Sequence, residues 1–207
     1  MVVVIEINEK KISVPLGTII LEACRQNQAW QKAGLRSVPV SVNVSGQQFG
    51  KQDLARIINT ALLRNRLSPD LLEIEITESA IMESPDRAVK DLDAIKALGV
   101  AIALDDFGTG YSSFSYLHRF PIDTLKIDRS FIQTIGTTEE SAELVAAIIA
   151  MAHILHLRVV AEGIETEEQL SVLAERGCDV IQGFLFHVPV PAEKVPALLQ
   201  RRVLAFA

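Results

Sequence analysis

Asp105 and Asp106 end the apolar run at residues 100–104, and Phe107-Gly108-Thr109-Gly110 follows at once. Two adjacent carboxylates at a strand tip, backed by a glycine-punctuated loop, can hold divalent cations against a phosphate. Other strand-like runs end in a polar residue in the same way, and strand side chains alternate between two faces. In residues 38–45 the even-numbered valines share one face, with Ser41, Asn43 and Ser45 on the other. Glu73, Glu75 and Thr77 oppose Ile74 and Ile76. Asp105 lies with Ala101 and Ala103 opposite Ile102 and Leu104, and Lys126 and Asp128 oppose Leu125 and Ile127. Glu162 shares parity with Val160, and Gln182 with Val180.

The constellation is Asn43, Glu75, Asp105, Asp106, Lys126, Asp128, Glu162 and Gln182. It contains no His or Cys, so it is a hard-oxygen set suited to Mg²⁺, Mn²⁺ or Ca²⁺ rather than zinc. So many acids repel one another unless a cation joins them. Lys126 can serve as charge partner, phosphate contact or aid to water activation. Two cations would fit an in-line phosphodiester hydrolysis. A single acid at a strand end reads as a cap or an ion-pair partner, but the same parity on six strands favours a site. His153-x-x-His156 has no carboxylate close in sequence and reads as a helix C-terminus rather than a metal site. Trp30 and the phenylalanines read as core, and Arg201-Arg202 as a solvated helix end.

Short apolar runs stand at residues 38–44, 72–76, 100–104, 124–127, 157–161 and 180–181. Between them, apolar residues recur at three and four positions over 16–33, 54–63, 88–98, 142–154, 167–174 and 194–203, the mark of one-sided helices. Ser84-Pro85-Asp86 can open a helix that Gly99 ends, and Thr166-Glu167-Glu168 one that Gly177 ends. Repeated βα units imply a parallel sheet covered by helices. Polar residues at many strand ends favour a (β/α)8-type barrel, whose active sites sit on the βα loops, over a doubly wound sheet. No G-x-G-x-x-G or Walker loop supports a nucleotide-binding alternative. A full barrel takes about 250 residues, and this α/β chain has 207. Residues 2–7 and 12–14 read as a β-hairpin that could supply missing staves.

The chain reads as a single domain, residues 1–207, because no linker or low-complexity segment divides it. A hydrophobic content of 49% excludes disorder, and a net charge of −6 gives no support to duplex nucleic-acid binding. No apolar run is long enough to span a membrane, and the start lacks a signal peptide's basic region. Cys24 and Cys178 are far apart with no C-x-x-C, which reads as a reduced, cytoplasmic protein.

Six words now stand in order: Ser41-Val-Asn-Val-Ser45, Glu73-Ile-Glu-Ile-Thr-Glu-Ser79, Asp105-Asp-Phe-Gly-Thr-Gly-Tyr-Ser-Ser113, Pro121-Ile-Asp-Thr-Leu-Lys-Ile-Asp-Arg-Ser130, Ala161-Glu-Gly-Ile-Glu165 and Gln182-Gly-Phe-Leu-Phe186. Over residues 14–200 the chain resembles the EAL-domain family of cyclic di-GMP phosphodiesterases. The resemblance implies a modified TIM barrel that cleaves cyclic di-GMP to pGpG with two Mg²⁺ or Mn²⁺ ions. It implies Asn43, Glu75, Asp105 and Glu162 as metal ligands, Asp106 for the second ion, and Asp128 as support. Lys126 would position or activate the attacking water, and Gln182 would contact water or substrate. Glu78 would anchor the loop at residues 106–113, which in this family links the metal site to a homodimer interface. Glu165 would be a supporting or substrate-side acid.

The family's Glu-Ala-Leu word, with a phosphate-binding Arg two residues beyond it, does not occur in these residues. The chain enters the pattern near Val14-Pro-Leu-Gly17, and residues 1–13 form an atypical, shortened N-terminal part. Losing a metal ligand and a bidentate phosphate partner lowers metal affinity and substrate orientation together. Three readings follow: a degenerate phosphodiesterase with weak or no hydrolysis, a working enzyme whose N-terminal segment rebuilds the site (Glu6 being the candidate acid), and a non-catalytic domain acting through self-association or protein contacts.

Overall fold

The computed structural model describes residues 3–4, 15–50, 52–109, 114–136 and 139–200. Seven strands form one all-parallel sheet in the order β1-β2-β3-β4-β5-β6-β7. They are β1 (Val3–Val4), β2 (Val40–Val44), β3 (Leu72–Thr77), β4 (Ala101–Phe107), β5 (Thr124–Ile127), β6 (Arg158–Glu162) and β7 (Val180–Gln182). Sequential order is the barrel's winding; a doubly wound sheet would reverse at a switch point. The sheet curls into a half-barrel, and among the described residues β7 and β1 do not pair. Val3–Val4, within the first strand of the expected hairpin, joins β2 in parallel; Glu6 later in that strand and the second strand at residues 12–14 lie outside the described residues.

The helices are α1 (Leu16–Lys32), α2 (Leu54–Asn65), α3 (Glu78–Met82), α4 (Pro85–Lys96), α5 (Phe114–Leu117), α6 (Arg129–Gln133), α7 (Glu139–Ile154), α8 (Glu167–Glu175) and α9 (Val195–Leu199). The core lies between them and the sheet. Val40, Val42, Val44, Ile74, Ile76, Ile102, Leu104, Leu125, Ile127 and Val159 are all nearly solvent-free, as the strand alternation requires. Leu16, Ile20, Ala23, Cys24, Asn27 and Trp30 form the buried face of α1. Asn27 donates from Nδ2 to the Val38 and Leu71 carbonyls, 3.0 and 3.1 Å away, tying α1 to the entries of β2 and β3.

Thr166 caps α8 with a full capping box to Gln169. Ser84 occupies the expected cap position of α4 but makes no side-chain cap bond; Pro85 at the first turn sets the entry instead. Gly99 and Gly177 take left-handed φ angles at the predicted helix ends. At the opposite end of the sheet from the site, two struts repeat. Asp123 accepts the Ile102 N–H at 2.8 Å and pairs with Lys96 at the end of α4. Asp179 accepts the Val159 N–H at 2.8 Å and meets His153 Nε2, near the end of α7, at 2.9 Å. His153 thus takes a carboxylate from 26 residues further on. Cys24 and Cys178 are free thiols, and burial pushes both up to about 11, which keeps them unreactive. No described helix is long and apolar enough to cross a membrane. Arg201-Arg202 and the end of the last predicted helix lie outside the described residues.

Candidate active site

The C-terminal ends of β3, β4, β5 and β6 bring four charged side chains to one point. Lys126 Nζ lies 2.7 Å from Glu75 Oε2, 2.7 Å from Glu162 Oε1 and 3.1 Å from Asp105 Oδ1. Lys126, Glu75 and Asp105 are buried, and Glu162 stands at the rim with 23% of its side chain exposed. The parallel register sets the cluster in two successive layers of one face: Asn43 pairs with Glu75 and Glu75 with Ala103, two residues before Asp105, while Lys126 pairs with Val160, two residues before Glu162, which pairs with Gln182.

Burial penalises the Lys126 ammonium, but Glu75, Glu162 and Asp105 outweigh it and hold the pKa above the ordinary lysine value. Burial likewise raises Glu75 and Glu162; Lys126 offsets only part of this, and Asp105 adds repulsion. The cluster is therefore a cation held by carboxylates that would each pay for ionisation without it.

Asp106 departs from simple alternation. Leu104 pairs with Leu125 and Phe107 with Ile127, so two residues of β4 face Lys126 alone on β5. Asp106 takes a left-handed φ of 55° in this bulge. Strict alternation would have sent its carboxylate to the helix side. The bulge instead brings it near Asp105 and Asp128, and burial with their repulsion raises its pKa. Bulges that re-aim a side chain beside a site carry local strain, and Asp tolerates this conformation better than most residues. Phe107 then returns to the core.

Glu78, at the start of α3, is buried and accepts the Gly108 N–H at 3.0 Å, which fixes the root of the loop after β4. Residues 110–113 of that loop lie outside the described residues. Gly108 has φ 92°, and a Cβ there would sit 2.7 Å from the Phe131 ring. Asp128 caps α6, accepting the Ser130 N–H at 3.0 Å. Burial raises its pKa, but bonds from Ser130 and Arg129 bring it below the ordinary aspartate value. Asn43 is exposed at the mouth and Gln182 half-buried beside Glu162. Glu165 is exposed on the turn after β6, and its N–H donates to Gln169 Oε1; it is not among the groups around Lys126.

Sequence reasoning left Glu73 out of the constellation. It is buried on the same face one layer below Glu75, and burial raises its pKa while Lys126 counters it. Its parity with Glu75 was the available signal. Among the described residues no group of three or more His, Cys, Asp or Glu is arranged to hold a metal ion. The donor chemistry suits a hard cation, and in this geometry the Lys126 ammonium stands between the carboxylates.

Residues 5–189 match the family model described as EAL domain. The signaling protein YkoW of Bacillus subtilis is 47% identical over 176 residues, covering 85% of this chain and 22% of that protein. The bifunctional diguanylate cyclase/cyclic di-GMP phosphodiesterase MucR of Pseudomonas aeruginosa is 44% identical over 185 residues, covering 89% and 27%. The chain thus spans about a quarter of the length of these curated relatives. Among solved structures, the PaMucR phosphodiesterase in complex with c-di-GMP superposes with a TM-score of 0.83 at 43% identity, covering 86% of this chain and 72% of that one. The EAL domain of Mycobacterium smegmatis DcpA gives 0.84 at 35% identity, covering 89% and 83%.

Proposed function

This chain belongs to the EAL-domain family, and on that premise we propose that its 207 residues form a domain directed at cyclic di-GMP, with weak or no hydrolysis to pGpG by themselves. The observation that supports the dinucleotide as the target is the Lys126 cluster: Glu75, Asp105 and Glu162 close on the ammonium at 2.7–3.1 Å at the mouth of the sheet. The mouth offers oxygen donors and a fixed cation, which suit a phosphodiester. These residues contain neither the Glu-Ala-Leu carboxylate nor the Arg that follows it in the family.

Mg²⁺ or Mn²⁺ would be held by Asn43, Glu75, Asp105 and Glu162, with Asp106 towards a second ion. When bound it would lower the pKa of a water and neutralise phosphate charge. The chain's own residues do the rest. Lys126 helps to position or activate the attacking water. Asp128 holds the start of α6 beside Asp106. Gln182 faces the rim for a water or substrate contact. Glu78 steadies Gly108 and so the loop that flanks the mouth.

The test is chromatography of cyclic di-GMP incubated with the pure chain and Mg²⁺ or Mn²⁺, with Asp105→Asn as control, beside calorimetric binding of the dinucleotide. The expected result is binding with at most trace pGpG. A second reading, a working phosphodiesterase, is favoured by the intact Glu75–Asp105–Lys126–Glu162 set. Abundant pGpG that Asp105→Asn abolishes would establish it in place of the first.

A further inference from the structure

The outer groove between α1 and α2 carries charge of the opposite sign to the molecule. Its far end is a cavity of about 380 Å³ lined by Arg25, Gln28, Lys32, Arg64 and Arg66. Arg64 also borders a second cavity of about 370 Å³, walled by Gly17, Leu21, Ile57, Thr18 and Thr60 and by Arg56, which pairs with Asp53. The two cavities share Arg64 and follow one another along the helices, a mostly apolar one towards the N-terminal ends and a basic one at the C-terminal ends. Both helices run back from the mouth of the sheet, so the basic end lies away from Lys126.

Four cations line the basic end. Glu22 pairs with Arg25, and among the described residues Lys32, Arg64 and Arg66 take part in no ion pair, which leaves a surplus of three in a chain of net charge −6. The ordinary role of such residues is to offset helix C-termini. Two C-termini carry together about one unit of negative charge, so about two positive charges remain for a ligand. Guanidinium forks match carboxylates two bonds at a time. An apolar trough leading into a basic end matches a helix with leucine-type side chains on one face and acids beside them.

We propose that the α1–α2 groove docks an acidic amphipathic helical segment of a partner protein. Its apolar side chains lie along the half-buried Leu21 and Ile57, and its carboxylates meet Arg25, Lys32, Arg64 and Arg66. This surface is independent of the Lys126 cluster and of any hydrolysis there.

The probe is a fluorescein-labelled peptide of Leu, Ala and Glu with leucines at i, i+4 and i+7, read by anisotropy at about 0.1 M salt. The expected result is saturable binding to the full chain. It weakens about tenfold or more in the Arg64→Glu/Arg66→Glu double variant, weakens in Ile57→Ser, and stays unchanged in Arg119→Glu. Arg64 and Arg66 are exposed, and circular dichroism checks that the variants fold. No binding, or equal binding by a peptide with Ser in place of Leu, overturns the proposal. So does stoichiometric displacement of the peptide by pyrophosphate at the same concentration, which would mark a site for a small phosphate-bearing ligand instead.

Discussion

At the scale of single residues, the feature with most consequence is one lysine among three carboxylates. Removing a buried charge's partners costs more than the pair contributes, because the remaining charges stay desolvated. Lys126→Met leaves Glu75, Asp105 and Glu162 facing one another, and we expect a loss on the order of 3 kcal/mol in urea unfolding without metal. Mn²⁺ should restore part of that loss in the variant and much less in the parent chain. An unchanged urea midpoint would show that Lys126 is not what holds the acids together. Asp106 teaches a second lesson at this scale: its carboxylate reaches the site through a bulge and a left-handed φ, which no alternation rule contains.

At the scale of elements, close approach and end struts decide the geometry. A Cβ on Gly183 would lie 2.1 Å from the Ile164 carbonyl oxygen, a backbone atom that cannot swing aside. The turns after β6 and β7 interlock there, with Ile164 N–H donating to the Gln182 carbonyl and Leu185 N–H to that of Ile164. Gly183→Ala should cost about 3 kcal/mol and loosen Gln182 and Glu162 together; a variant as stable as the parent would disprove the interlock. The strut at Asp179 makes a pH prediction. Burial pushes its carboxyl up, but the Val159 N–H and His153 bring it below the ordinary aspartate value of 3.8. A lowered folded pKa gives stability that is present above 3.8 and is lost as pH falls below it. Asp179→Asn should therefore be less stable than the parent at neutral pH and lose less on further acidification. Parallel acid limbs in thermal melts from the two proteins would count against this.

At the scale of the whole molecule, the sheet has two ends that do not meet among the described residues, and Phe184, Phe186 and Val188 are 62%, 49% and 57% exposed just beyond β7. A strand edge left unpaired among the described residues, beside exposed apolar side chains, favours pairing with another copy. We expect light scattering to show association that grows with concentration and that Phe184→Ser/Phe186→Ser reduces. A monomer at every concentration tested would exclude it.

The six strand runs from residue 38 onward, the major helices, and the face carrying Glu75, Asp105, Lys126 and Glu162 were legible in the sequence, because each rests on local periodicity: two residues in a strand, about 3.6 in a helix. The family resemblance implied roles for those residues. Tertiary structure alone decided the rest. The bulge that turns Asp106, the carboxylate that Asp179 brings to His153, the exposed placement of Glu165 and the basic end of the α1–α2 groove all depend on contacts between segments distant in the chain. Ser84 shows the same limit: its cap position is a local signal, but whether its hydroxyl bonds is set by the geometry of the turn before α4. Periodicity assigns a residue to a face; only the packing of the elements sets its distance from everything else on that face.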